Sequence, residues 1–302
     1  MVDEERLARV LDRVPGIAGR PRTVTALEGG LTNTNLKVVA ADRAVVVRLS
    51  SPAGDLLSID REAEQVNSRR AAEAGAAPAV VAYVPAERAL VVEFVDGHTY
   101  EPADLAVEAN LVRVAEACRR LHAGERFVGD FDMFAVQGRY LAIVREQGFR
   151  LPDRYLDFAP AVERVARALA VRAGRTVPCN NDLLAANFVD DGERVWIIDY
   201  EYGGNNDPCF ELGNIWSESD LSLDHLGLLV DSYHGRHLRH AVARARLFGL
   251  MSKYGWTLWA SIQAATSDMD FWSWGMEKYE RAVAEFDGPD LDRLLAEATR
   301  PG

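Results

Sequence analysis

The sequence predicts an α+β fold of two lobes. A five-stranded antiparallel sheet with one main helix spans residues 1–95, and a larger, mostly helical lobe spans 96–302. Three observations predict it. Five short stretches rich in valine and leucine lie between Thr23 and Val95, separated by turn residues. Beyond Asp96-Gly97 the apolar spacing changes to that of amphipathic helices. Between Val177 and Glu218 the helical pattern is interrupted by a loop, a hairpin and a second loop, all rich in Asp, Asn and Gly.

The elements follow in order. Residues 3–13 place Leu7, Val10, Leu11 and Val14 on one helical stripe, stopped by Pro15-Gly16. Strands are predicted at 23–27, 35–39 and 44–49. Glu28-Gly29-Gly30-Leu31-Thr32-Asn33 joins the first two. Two glycines followed by short polar side chains let backbone N–H groups approach a phosphate, although an ordinary hairpin turn reads the same way. Arg48 sits among apolar strand residues and needs a partner. Ser58 is the predicted N-cap of a helix running to about Gly75. Strands at 80–84 and 88–95 complete the sheet around the turn Pro85-Ala86-Glu87. One helix is predicted from Glu101-Pro102 to Leu121, with His122 at its end in a structural role. Further helices are predicted at 136–148, 158–173, 223–234, 236–251 and 254–265.

The 302 residues are 48% hydrophobic and 26% charged, ordinary values for a globular protein with a sizeable core. A formal charge of -12 argues against a nucleic-acid partner and favours small cations. Cys118, Cys179 and Cys209 form no C-x-x-C pair, so neither a zinc site nor a disulfide framework is expected. Cys179 reads as a small apolar filler. The N-terminus lacks an apolar signal core, and no apolar run approaches the ~18 residues of a membrane span. A cytoplasmic monomer or homodimer is expected.

The chemistry is concentrated in Val177–Glu218. Phe188-Val189 and Val195-Trp196-Ile197-Ile198 flank an Asp190-Asp191-Gly192 turn, the pattern of a β-hairpin. Such a hairpin brings its ends together, so Asn187 and Asp199 both land near Asp182. The D-x-x-x-x-N spacing is that of a kinase catalytic loop. Phosphoryl transfer needs this set: one carboxylate to orient a hydroxyl and take its proton, and an Asn oxygen and a second Asp to hold Mg²⁺.

The run I-D-Y-E-Y-G-G-N-N-D-P-C-F-E-L-G-N, beginning at Ile198, resembles the choline/ethanolamine kinases of the aminoglycoside phosphotransferase superfamily, whose folds are protein-kinase-like. The resemblance extends from about Leu27 to Phe286. It implies ATP and Mg²⁺, with Asp182 as catalytic base and Asn187 and Asp199 as metal ligands. It also assigns Thr32 and Asn33, in a G-G-x-T-N stretch, to the phosphates. Arg48 stands where protein kinases use a strand lysine, and Glu64 is its matched partner, with Glu62 as the competitor. The hinge backbone is expected to offer adenine the Glu93 carbonyl and the Val95 N–H. The usual His-x-Asp is here Asn180-Asn181-Asp182, and an Asn brace that donates and accepts is expected to hold the loop. Glu211, where relatives usually carry Asp, is expected to anchor the loop.

Four of the six tryptophans lie between residues 256 and 274. By spacing alone Trp256 and Trp259 share a helix face and read as core. The resemblance instead makes them walls of an acceptor pocket, with Trp274 as a third wall and Glu218 as the carboxylate facing the cation. The reading is therefore an ATP-dependent kinase of a small amino alcohol, choline first. The alternatives are an aminoglycoside or other small-alcohol kinase, and a nucleotide-binding scaffold without turnover.

Overall fold

The computed structural model describes residues 3–27, 33–41, 43–50, 56–57 and 59–300. The phosphate-loop residues 28–32, Thr32 among them, and Ser58 lie outside the described residues.

In the small lobe, helix α1 (Glu4–Leu11) precedes strands β1 (Thr23–Ala26), β2 (Asn33–Ala40) and β3 (Arg43–Ser50). Helix α2 (Arg61–Glu73) and strands β4 (Val80–Val84) and β5 (Ala89–Glu93) follow. The sheet order is β1-β2-β3-β5-β4, with every neighbouring pair antiparallel. Alternation along the strands decides what faces what. Leu36, Val38, Val45, Val47 and Leu49 are buried with Leu7, Val10 and Leu11 of α1 in one core. Asn33, Asn35, Val46 and Arg48, at the intervening positions, face the cleft between the lobes. Helix α2 starts later than Ser58 predicts. Asp60 is its N-cap, accepting from the Glu62 and Ala63 N–H groups at 3.0 Å each.

The large lobe contains β6 (His98–Thr99), α3 (Pro102–Leu105), α4 (Glu108–His122), α5 (Met133–Gln147) and α6 (Ala159–Ala170). The helix predicted over 101–121 is thus two, broken before Val107, the N-cap of α4. Next come β7 (Val177–Cys179), β8 (Phe188–Asp190), β9 (Val195–Ile197) and β10 (Gly204–Asn206). Strands β8 and β9 form the predicted hairpin, with Phe188 opposite Ile197. Strand β10 pairs with β7, although its Gly-Asn-Asn sequence reads as a turn. The chain ends in α7 (Pro208–Glu218), α8 (Leu223–His234), α9 (Arg239–Thr266), α10 (Phe271–Phe286) and α11 (Leu291–Ala298).

The two helices predicted at 236–251 and 254–265 are one, the 28-residue α9. Gly255 sits inside it where the Met133 side chain of α5 packs closely against the backbone. Helix α9 is buried along most of its length and packs against α5, α7, α10 and α11. At its crossing with α7 a Cβ on Gly213 would collide with the Ala245 carbonyl, and one on Gly249 would lie 2.7 Å from the Gly213 carbonyl. The large-lobe core is separate from that of the small lobe, and it takes in Ala71, Ala76 and Ala77 from α2 and the turn after it. Among the described residues no helix is long and apolar enough to cross a membrane.

Candidate active site

A cavity of about 490 Å³ lies between the lobes. Its large-lobe floor is the loop leading from β7 to β8. Apart from one 3-10 turn at Ala185–Asn187 this loop has no regular structure, and helix α7 holds it. The Glu211 carboxylate accepts from the Asn180 and Asn181 N–H groups at 2.8 Å each, and Asn214 Oδ1 accepts from the Leu183 N–H at 2.6 Å. Helix α7 is fixed in turn by Asp207, which caps it and pairs with Arg244 at 2.5 Å. Glu211 is thus the expected anchor.

Asn180 provides the brace expected in place of histidine. Its Nδ2 donates to the Ile198 carbonyl at 3.1 Å and the Asp199 carbonyl at 2.7 Å, and its Oδ1 accepts from the Asp182 N–H at 3.1 Å. One side chain therefore ties the loop that carries Asp182 to the end of the hairpin. Asn187 Nδ2 donates to the Asp182 carbonyl at 2.7 Å, and its N–H to the Leu184 carbonyl at 2.9 Å. The Asn187 carbonyl accepts from the Ile198 N–H at 2.9 Å. Asp182, Asn187 and Asp199 all line the cavity. His122 lies behind the loop, with Nδ1 2.8 Å from Tyr233 Oη and Nε2 3.7 Å from Glu211 Oε1, which fits its structural role.

Asp199 adopts a positive φ of 64° and directs its carboxylate toward the small lobe. Its Oδ1 accepts from Arg48 at 2.5 Å. Arg48 also pairs with Glu64 at 2.6 Å and Glu201 at 3.3 Å. Arg61 bridges Glu64 at 2.7 Å and Glu201 at 3.1 Å, and Asn33 donates to Glu201 at 3.0 Å. Glu64, rather than Glu62, is the partner of Arg48, because it lies on the buried face of α2 with Asn67, Ser68 and Ala71.

The site holds more carboxylate than it neutralises. Burial, then Glu218, Asp199 and Glu201, push the Asp182 carboxyl well above the usual range, with Lys278 opposing. Burial raises Asp199 to about 6; Arg48 pulls it down, while Glu201 and Glu64 push it up. Glu201 is buried too, but Arg48, Asn33 and Arg61 together hold it below its ordinary value. An all-oxygen donor set from Asp199 and Asn187, carrying surplus negative charge, fits a hard divalent cation such as Mg²⁺.

At the hinge, Glu93 and Val95 line the same cavity. The Glu93 N–H donates to the Ala79 carbonyl at 2.9 Å, and its carboxylate pairs with Arg43. Trp256, Trp259 and Trp274 also contribute to the wall. Trp256 packs edge-on to Tyr202 at 4.9 Å, and Trp259 edge-on to Trp274 at 5.6 Å between ring centres.

One expectation needs correction. Glu218 is no open carboxylate in the pocket wall, because its buried side chain is engaged by Lys278. Glu201, Arg61, Tyr202 and Lys278 escaped sequence reasoning. Glu201 and Tyr202 lie directly after Asp199, in the acidic-aromatic run that closes the hairpin. Arg61 and Lys278 carry no signal in their own neighbourhoods, since their partners are distant in sequence.

Comparison with known proteins agrees with this geometry. The choline/ethanolamine kinase family model matches residues 24–226. Protein LicA of Haemophilus influenzae is 27% identical over 251 residues, covering 78% of this chain and 72% of that protein. Ethanolamine kinase 1 of Mus musculus is 25% identical over 296 residues, covering 83% and 80%. A crystal structure of a choline/ethanolamine kinase family protein from Mesorhizobium loti superposes with a TM-score of 0.86 at 31% identity, over 98% of this chain and 99% of that one.

Proposed function

We infer the reaction from one premise: the chain belongs to the choline/ethanolamine kinase family. It is an ATP-dependent phosphotransferase that phosphorylates the hydroxyl of a small amino alcohol, choline first. One observation carries this reading. A single cavity is lined by Asp182, Asn187, Asp199 and Arg48, by the hinge residues Glu93 and Val95, and by three tryptophans.

Asp182 orients the acceptor hydroxyl and takes its proton as the oxygen bonds to the γ-phosphorus and ADP leaves. Its raised pKa makes it a stronger base once ionised. Held by Asn187 and Asp199, Mg²⁺ would supply charge neutralisation at the phosphates. Arg48, steadied by Glu64, reaches toward the phosphates from the sheet. Asn33, at the start of β2, lies where the phosphate loop rejoins the sheet, and the Glu93 carbonyl and Val95 N–H hold adenine. Trp256, Trp259 and Trp274 enclose the ammonium with aromatic faces.

A coupled ADP-release assay with ATP, choline, ethanolamine and a set of aminoglycosides tests the reading. Turnover of choline is expected with Mg²⁺. Absence of turnover of any amine, with Mg²⁺ or with Mn²⁺, overturns it. Turnover of aminoglycosides alone moves the acceptor to the other branch of the superfamily.

A further inference from the structure

A buried cation stands against one of the tryptophans that line the cavity. Lys278 on α10 is buried at 6% exposure, and its Nζ lies 4.2 Å from the centre of the Trp274 ring. The same ammonium pairs with Glu218 Oε2. An aromatic face and a carboxylate are the two features that hold an ammonium group, and here a lysine of the chain already engages both. The pair also lies close enough to the base to be felt there, Glu218 raising the Asp182 pKa and Lys278 lowering it.

Resting on the amino-alcohol kinase reading, we propose that Lys278 is a specificity-determining residue that turns the pocket toward quaternary ammonium alcohols and against primary ones. Lys278 repels either cation alike, so charge alone does not discriminate. Hydrogen bonding does. A primary ammonium brings three N–H donors, and each must find an acceptor when the pocket closes around it. Glu218 has one oxygen committed to Lys278, and only Oε1 remains without a donor. The indole Nε1 groups of Trp256 and Trp259 are themselves donors and can accept nothing. Asp182 is committed to the acceptor hydroxyl. A trimethylammonium group has no N–H to satisfy, and its methyl groups lie against the faces of Trp256 and Trp259. Lys278 thus withholds the carboxylate that a primary amine needs and a quaternary amine does not.

The test compares steady-state kinetics for choline and ethanolamine in the wild type and in Lys278→Met. The wild type is expected to favour choline in kcat/KM. Lys278→Met releases Glu218 and is expected to lower the choline-to-ethanolamine ratio by about tenfold, the size of one charged hydrogen bond gained. The change should lie in the ethanolamine KM rather than in kcat, which a general loss of structure would not produce. Lys278→Leu carries the test if the methionine variant does not fold, because it too has no donor for Glu218. The double variant Glu218→Gln/Lys278→Met removes the released carboxylate and should not gain ethanolamine. A wild type that prefers ethanolamine, a ratio unmoved in the single variant, or an equal gain in the double variant overturns the proposal. A wild type that phosphorylates neither alcohol overturns the functional reading first, and this inference with it.

Discussion

Asp199 shows how one residue couples the site to pH. Its carboxyl is raised to about 6 by burial and by the neighbouring Glu201 and Glu64, against the pull of Arg48. In the unfolded chain it ionises near its ordinary value, so its contribution to stability is greatest below about pH 4 and is lost as pH rises through about 6. Above that range the folded protein carries a carboxylate that a bound cation relieves. Adding Mg²⁺ is therefore expected to raise the melting temperature at about pH 7.5 and to do little at about pH 5. Thermal melts at the two pH values, with and without Mg²⁺, check this, and equal shifts at both would contradict it. Asp182, Asn187 and Asp199 were legible in the sequence because a hairpin turn dictates that its ends meet. The state of Glu218 was not, because its partner Lys278 lies on α10, beyond any local pattern.

Among the elements, those with a period were legible and those without one were not. Strand β3 is a run of apolar residues, so Arg48 could be placed among apolar neighbours from sequence; its partner Glu64 comes from the family resemblance, and the buried face of α2 is where the structure puts it. Strand β10 is Gly-Asn-Asn and is a strand only because its backbone pairs with β7. Helix α9 runs unbroken through the gap between the helices predicted at 236–251 and 254–265, because it is buried on nearly all sides and packing rather than one apolar stripe holds it. The crossing of α7 and α9 depends on glycine. Gly213→Ala is expected to cost about 1–3 kcal/mol by overpacking. It should also lower kcat, because Glu211 and Asn214 move with α7 and position the base-bearing loop. A melt and a kcat measurement on the variant check both, and an unchanged melt would show that the crossing yields more readily than its geometry implies.

At the scale of the molecule, two separate cores meet across a seam of ions and hydrogen bonds. Arg48 and Arg61 of the small lobe bind Asp199 and Glu201 of the large one, and Asn67 reaches the Gly203 carbonyl at 2.9 Å. The two-lobed plan was legible from the change of period near residue 96; this seam was not, since each bond joins residues far apart in sequence. The cavity it encloses is lined by the hinge and the tryptophans alike, with Asp182 and Asp199 among its other lining groups. On the proposed reading, nucleotide and acceptor press on different walls. Trp256→Ala is expected to raise the acceptor KM about tenfold, within the range of one lost cation–π face. The KM for ATP should stay within about twofold, since no hinge contact is removed. Initial-rate measurements varying each substrate separate the two, and a parallel rise in both would place Trp256 in the packing of the lobe instead.

The tryptophan walls and Lys278 belong to α9 and α10, whereas Arg48, Asp182, Asn187 and Asp199 belong to the sheet, the loop and the hairpin. On the proposed reading the chain keeps its choice of customer and its reaction machinery on different pieces of scaffold. A library confined to the turn of α10 around Trp274 and Lys278 could explore new alcohols while Asp182, Asn187, Asp199 and Arg48 stay where they are.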